Sequence, residues 1–260
     1  MQSLYEKNKI RHFLVWLAAY LLLSVVAINT GRVFGVSEHV AAAAALLVYS
    51  PVMLVYLLRT GISTDIGLWV RPAVPAPRMW FYLPLVVLVG LPLVGGVRAD
   101  LSAGAVIAIL IQYVCVGFSE EALFRGLLLR ALLDKWRPVW AVLLAAVTFG
   151  LGHAVSILVG QSGGNTALQI INATVVGLIF TLVVLVTGSL RAVIVAHVLY
   201  NTIAAVTGTI EGVGIIVTGI AVLLLYGAWL LAGAGGLAQL RERRVPASAP
   251  GSDTSSVNVS

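Results

Sequence analysis

Charge is scarce in this sequence. Only 10% of its residues are Asp, Glu, Lys or Arg, where a soluble domain is nearer one quarter. With 60% hydrophobic residues and a mean hydropathy of +1.03, that shortage excludes a soluble globular domain and places the chain among multi-pass membrane proteins. Cysteine is almost absent. Cys115 alone closes no intramolecular disulfide, and within its apolar run it reads as a small core residue. Two proteolytic signatures are missing as well. No HExxH occurs, so a zinc-helix metalloprotease is not indicated. All four aspartates (Asp65, Asp100, Asp134, Asp253) lie outside the apolar runs, which leaves no membrane aspartyl pair. The "GQSG" at 160–163 has the form of a serine-protease GxSG. Ser162, however, lies in a Gly-rich stretch with Gln161 and Asn165, which reads as a flexible turn.

What is present is apolar sequence in lengths that cross a bilayer as helix, about 20 residues each. Eight such runs occur, at about 12–29, 40–58, 79–96, 103–119, 139–159, 168–187, 190–208 and 213–233. The expected fold is all-α, a polytopic bundle of about eight transmembrane helices. The fourth run is expected to continue as helix through "EEALFRGLLLRALL". The opening "EKNKIRHFLVWLAAYLLLSVVAI" has a basic flank and an apolar run, as a signal peptide does. Its length and the lack of a small-residue cleavage site make it a retained first helix.

The net charge of +6 comes from bases that flank the apolar runs. Orientation and contact with anionic lipid explain them better than nucleic acid does. They cluster before the first run (Lys7, Lys9, Arg11), between the second and third (Arg59, Arg71, Arg78) and between the fourth and fifth (Arg125, Arg130, Lys135, Arg137). They recur at Arg191 and at Arg241, Arg243 and Arg244. These are alternate loops, so the positive-inside rule puts both termini in the cytoplasm. His12, at the basic edge of the first run, and His39, beside Glu38, read as solvated interfacial residues. "RPAVPAPR" (71–78) is a Pro-rich connector, and "GQSGGNT" (160–166) an external turn. The organisation is one membrane domain, 1–240, with a disordered cytoplasmic tail at 241–260. The Arg-over-Lys bias with abundant Ala, Gly and Val points to a prokaryotic plasma membrane.

Three clusters of polar groups stand inside the apolar runs, where ionisable side chains are expensive and face the bundle interior. The first is Glu120, Glu121 and Arg125. At about 100° per residue, Glu121 and Arg125 share a helix face and suit an ion pair, while Glu120 points away from it. The second is "FGLGHA", with His153 one turn after Phe149. The third is "AHVLYN", with His197 and Asn201 four apart. A carboxylate and imidazoles can activate water as a base, or hold a metal that does so. An imidazole and an amide can donate to a developing oxyanion. A buried Glu/His cluster also builds proton relays, so a proton-coupled carrier is the competing class. Carriers carry internal repeats and broken helices in matching halves, and neither is evident.

Taken in order, "EEALFR", "FGLGH" and "HVLYN" fit EExxxR, FxxxH and HxxxN. The chain thereby resembles the CPBP intramembrane protease family, also called Abi or CAAX prenyl protease type II-like, over about residues 80–208. The resemblance implies Glu120 as the base that activates water, His153 as its positioning partner, and His197 and Asn201 as the oxyanion stabilisers. Glu121 would orient Arg125. If a zinc ion is used, Glu120, His153 and His197 are its ligands; a metal-free glutamate mechanism uses the same residues. The implied substrate is a membrane-associated peptide or lipidated protein, prenylated or not. A catalytically idle immunity or scaffold member of the same family is the remaining alternative.

Overall fold

The computed structural model describes residues 1–73, 82–208, 213–233 and 236–241. A short amphipathic start, α1 (Gln2–Lys7), leads into α2 (Lys9–Val33) and α3 (Glu38–Arg59), which return against each other. A single turn, α4 (Ile62–Asp65), follows. Next come α5 (Leu83–Gly90), continued as a 3₁₀ helix over Leu91–Gly95, and α6 (Ala103–Glu121). Beyond Glu121 the same rod passes through a π-helical stretch, Ala122–Leu128, into α7 (Leu129–Leu133). The second half holds α8 (Pro138–Gly152) with a 3₁₀ extension His153–Val159, α9 (Gly163–Thr187), α10 (Arg191–Val206), α11 (Val213–Ala232) and α12 (Gly236–Arg241). Among the described residues there is no strand, only one isolated bridge between Val97 and Thr207.

Each of the eight apolar runs is helical over most of its described residues. Five helices, Lys9–Val33, Glu38–Arg59, Ala103–Leu133, Pro138–Val159 and Gly163–Thr187, are long and apolar enough to cross a membrane. Leu83–Gly95, Arg191–Val206 and Ala221–Ala232 are shorter. At 1.5 Å per residue, α10 spans roughly 24 Å, less than the ~30 Å hydrocarbon core. The chain is an all-α polytopic membrane protein.

Its helices enter and leave differently at the two ends. At the end that carries Phe34–Ser37 and Gly160–Ser162, serines cap the incoming helices. Ser37 accepts from Val40 N at 3.4 Å, Ser102 from Ala105 N at 3.2 Å and Ser162 from Asn165 N at 3.3 Å. A capping hydroxyl satisfies one of the orphan amides of the first turn. Ser162 is therefore an N-cap, and the flexible turn expected over 160–166 shrinks to Gly160–Ser162, with Asn165 and Thr166 already helical. At the other end lie the basic loops, tied by Lys9 to Asp134 at 2.7 Å and by the Tyr5 hydroxyl to Asp65. Burial and the Asp65 carboxylate push the Tyr5 phenol up, so it remains a donor.

Two close approaches set the packing around the centre. A Cβ on Gly117 would stand 2.6 Å from Val198 Cγ2, so glycine lets α6 lie against α10. A Cβ on Gly150 would collide with Thr174 Oγ1 and stand 2.8 Å from the Ile170 carbonyl, so glycine also sets α8 against α9. The sequence reading of His12 as solvated is corrected. It is fully buried, with Nε2 2.8 Å from the Tyr56 hydroxyl and 3.2 Å from Trp16 Nε1. His39 is helical and half-buried, with Nδ1 2.6 Å from Gln112 Oε1. Both imidazoles gained partners from a neighbouring helix, which one-dimensional reading of a basic flank does not supply. The connector from Val74 through Arg78 and the tail beyond Arg241 lie outside the described residues.

Candidate active site

The first polar cluster sits where α6 changes into the π-helical stretch. In a π turn the backbone bonds from i to i+5, widening the helix, and such single-turn bulges recur at functional sites. Glu120 and Glu121 are the last two residues of α6, and the π-helical stretch begins directly after them. Both carboxylates are buried and both reach His197 from α10.

Glu121 Oε1 accepts from Arg125 Nη1 at 2.9 Å and lies 2.8 Å from His197 Nδ1. To the expected pairing of Glu121 with Arg125 the structure adds a second contact, since the same oxygen orients the imidazole. With Nδ1–H donated to that carboxylate, Nε2 is the ring atom turned toward Glu120, 3.7 Å from its Oε2. Glu120 Oε1 accepts from the Tyr20 hydroxyl at 2.7 Å. Glu120 Oε2 is buried and has no hydrogen-bond donor among the described side chains. Two carboxylates against one guanidinium leave one negative charge uncompensated unless His197 carries a proton. Out of water that imbalance is costly.

Arg125 is held from its other side by rings. Its Cζ lies 3.9 Å from the Phe149 centroid and 5.6 Å from that of Phe180, both within cation–π range. Phe149 also meets Phe124, His153 and His197 edge-on, at 5.1, 5.3 and 6.2 Å. The phenylalanine of the FxxxH pattern is thus the surface on which the ionised cluster is assembled. His153 does not lie inside a regular helix, as the sequence reading had it, but at the step from α8 into the 3₁₀ extension.

A cavity of about 390 Å³ opens onto these groups, with Glu120, His153, His197 and Asn201 all in its wall. Glu121 and Arg125 lie behind that wall. Sequence reasoning missed Tyr20 and Tyr200, which line the cavity as well. Tyr20 carried a signal. A tyrosine in mid-run needs a partner for its hydroxyl once buried, and only a polar group on another helix could supply one.

The same contacts bear on the zinc reading. His197 Nδ1 and Glu120 Oε1 are already committed to Glu121 and Tyr20. Among the described residues no three His, Cys, Asp or Glu side chains are grouped to hold a metal ion. Those commitments leave His197 Nε2 and Glu120 Oε2 facing each other at 3.7 Å, and His153 is not drawn in with them as a three-ligand set.

Fold and site together define an integral membrane protein with a buried carboxylate–imidazole centre. Residues 102–203 match the family model described as type II CAAX prenyl endopeptidase Rce1-like, a protease family, and the resemblance read from the motifs is borne out by that match. The matched segment begins at the serine cap of α6, ends within α10 and contains all seven motif residues. No curated protein and no solved structure matches the chain.

Proposed function

We propose that the chain is an intramembrane endopeptidase that hydrolyses a peptide bond of a membrane-associated substrate with water activated by Glu120. The observation that carries this reading is the Glu120 carboxylate, one oxygen held by Tyr20 and the other facing His197 across the cavity wall. Glu120 Oε2 takes a proton from water as the water oxygen attacks the scissile carbonyl. His153, in the same wall, positions that water. The oxyanion accepts from the Asn201 amide and from His197 Nε2 when protonated, the imidazolium being stabilised by Glu121 through Nδ1. Glu120 then returns its proton to the leaving amine as the tetrahedral adduct collapses. Arg125 neutralises Glu121 and touches no reacting atom.

Support for hydrolysis over a proton-coupled carrier comes from the matched protease family and from the absence of matching broken halves in the sequence. The family description names CAAX prenyl substrates; for this chain the corresponding class is a peptide anchored in the membrane, lipidated or not. The test is cleavage of a membrane-anchored reporter peptide by the purified protein in liposomes. Asn201→Ala should lower kcat by about 10²-fold, the loss typical of one oxyanion donor. Activity should persist in chelator. Unchanged kcat in Asn201→Ala, or loss in chelator restored by zinc, would overturn the mechanism.

A further inference from the structure

The cavity has a direction. α2 rises from the basic end to Val33 and α3 returns from Glu38, so Phe34–Ser37 marks the end opposite the basic loops. Gly160–Ser162, between α8 and α9, marks the same end. The two are tied there, with Asn29 Nδ2 donating to the Leu158 carbonyl at 3.1 Å and Arg32 Nη2 to that of Val159 at 2.5 Å. The cavity is lined at its outer part by Ile28, Glu38, Val159 and Gln161. Its floor is Glu120, Phe124, Phe180 and His197. Between these levels the wall carries Ser24, Gln112, Ser156, Gln169 and Asn172, polar groups that a peptide backbone and its water require.

On the basic side of Glu120 the molecule is packed shut. Leu123, Leu127, Ile66, Leu190 and Val193 are fully buried. The segment after α4 is sewn to the start of α10, by Leu190 N to the Gly67 carbonyl at 3.0 Å, Ser189 Oγ to the Val70 carbonyl at 2.8 Å and Arg191 Nη2 to the Trp69 carbonyl at 2.8 Å. No described residue of the basic loops lines the cavity. Since bases mark the cytoplasmic loops, the open end faces away from the cytoplasm.

We infer that substrate and water reach Glu120 from the non-cytoplasmic face, so that the substrate is a membrane-anchored peptide whose scissile segment is exposed on that face. This rests on the hydrolytic reading above and restricts it. A tail presented from the cytoplasm, lipidated or free, meets the packed side of the site.

Single cysteines in a Cys115→Ala chain test the direction, with a charged, membrane-impermeant methanethiosulfonate as probe. Val159→Cys stands at the mouth, Val176→Cys inside the cavity wall, and Lys135→Cys in a basic loop. The expected result is labelling of the first two in right-side-out vesicles and loss of that labelling in inverted ones, with Lys135→Cys reversed. Val176→Cys labelled only in inverted vesicles, labelled together with Lys135→Cys, or labelled from neither face would overturn the inference. Repeating the labelling in Glu120→Gln separates the two proposals, because access does not depend on chemistry. A Glu120→Gln chain that still cleaves the reporter sinks the mechanism and leaves the labelling result standing.

Discussion

Between Glu120 and the basic loops the interior is filled by leucines, Ile66 and a buried Arg125, whereas between Glu120 and Gly160 it holds a cavity walled by serine, glutamine and asparagine side chains. The two regions belong to the same helices. α6 supplies the floor of one and the roof of the other, and the change falls at the π-helical stretch, where Glu121 turns into the packed half and Glu120 toward the hollow one. Adjacent residues of one type are thereby given different work. Glu121 balances charge where water cannot enter, and Glu120 meets the space where water can.

The largest effect should come from breaking the packed half at its charge. Glu121→Gln leaves the Arg125 guanidinium buried without its counter-ion and frees the His197 ring. Removing one partner of a buried pair costs about 3–5 kcal/mol. A thermal melt in detergent should show a large fall in stability, and activity should be lost with it. A melt equal to wild type would mean that Arg125 is compensated elsewhere.

Next comes the seam between α8 and α9. Gly150→Ala drives a methyl into Thr174 and the Ile170 carbonyl, and overpacking of this kind costs roughly 1–3 kcal/mol. Both helices carry cavity wall, so the melt should fall and the activity of the folded fraction should fall with it. An unaltered melt would mean that the helices separate freely.

These two predictions differ in how far the sequence announced them. Eight helices were legible because apolar length is a property of each run taken alone. The six polar residues were legible because five ionisable side chains and one amide are conspicuous in such runs. What composition and 100° spacing did not carry is the π turn. It runs over residues 122–128, which pack against α2 and α8, directly after the two glutamates that meet one imidazole. Nor did they carry Tyr20, one hundred residues from Glu120 in sequence, or the burial of His12 against Tyr56. Partners on other helices are tertiary facts.

Smaller effects sharpen the comparison on the hollow side. Tyr20→Phe removes the donor to Glu120 and keeps the ring. A hydrogen bond to a charged group contributes about 1.5–3 kcal/mol; if roughly half is expressed in the transition state, kcat falls about 4- to 12-fold while KM is little changed. The pH–rate profile should move with it, a displacement that a packing role for the ring would not produce. Smallest is Lys9→Met at the basic end. The Lys9–Asp134 pair at 2.7 Å is partly exposed, and such pairs contribute about 0–1 kcal/mol. The melt should shift little and the cleavage rate should hold, since the site opens at the other end.

The division of labour between the two glutamates is measured most directly by Glu120→Gln, assayed for reporter cleavage and for thermal stability in the same preparation. The expected result is a fall in kcat of about 10²–10⁴-fold, the range of a lost general base, with a melt close to wild type because Gln keeps the acceptor for Tyr20. Retained cleavage, or a loss of stability as large as that of Glu121→Gln, would contradict the account.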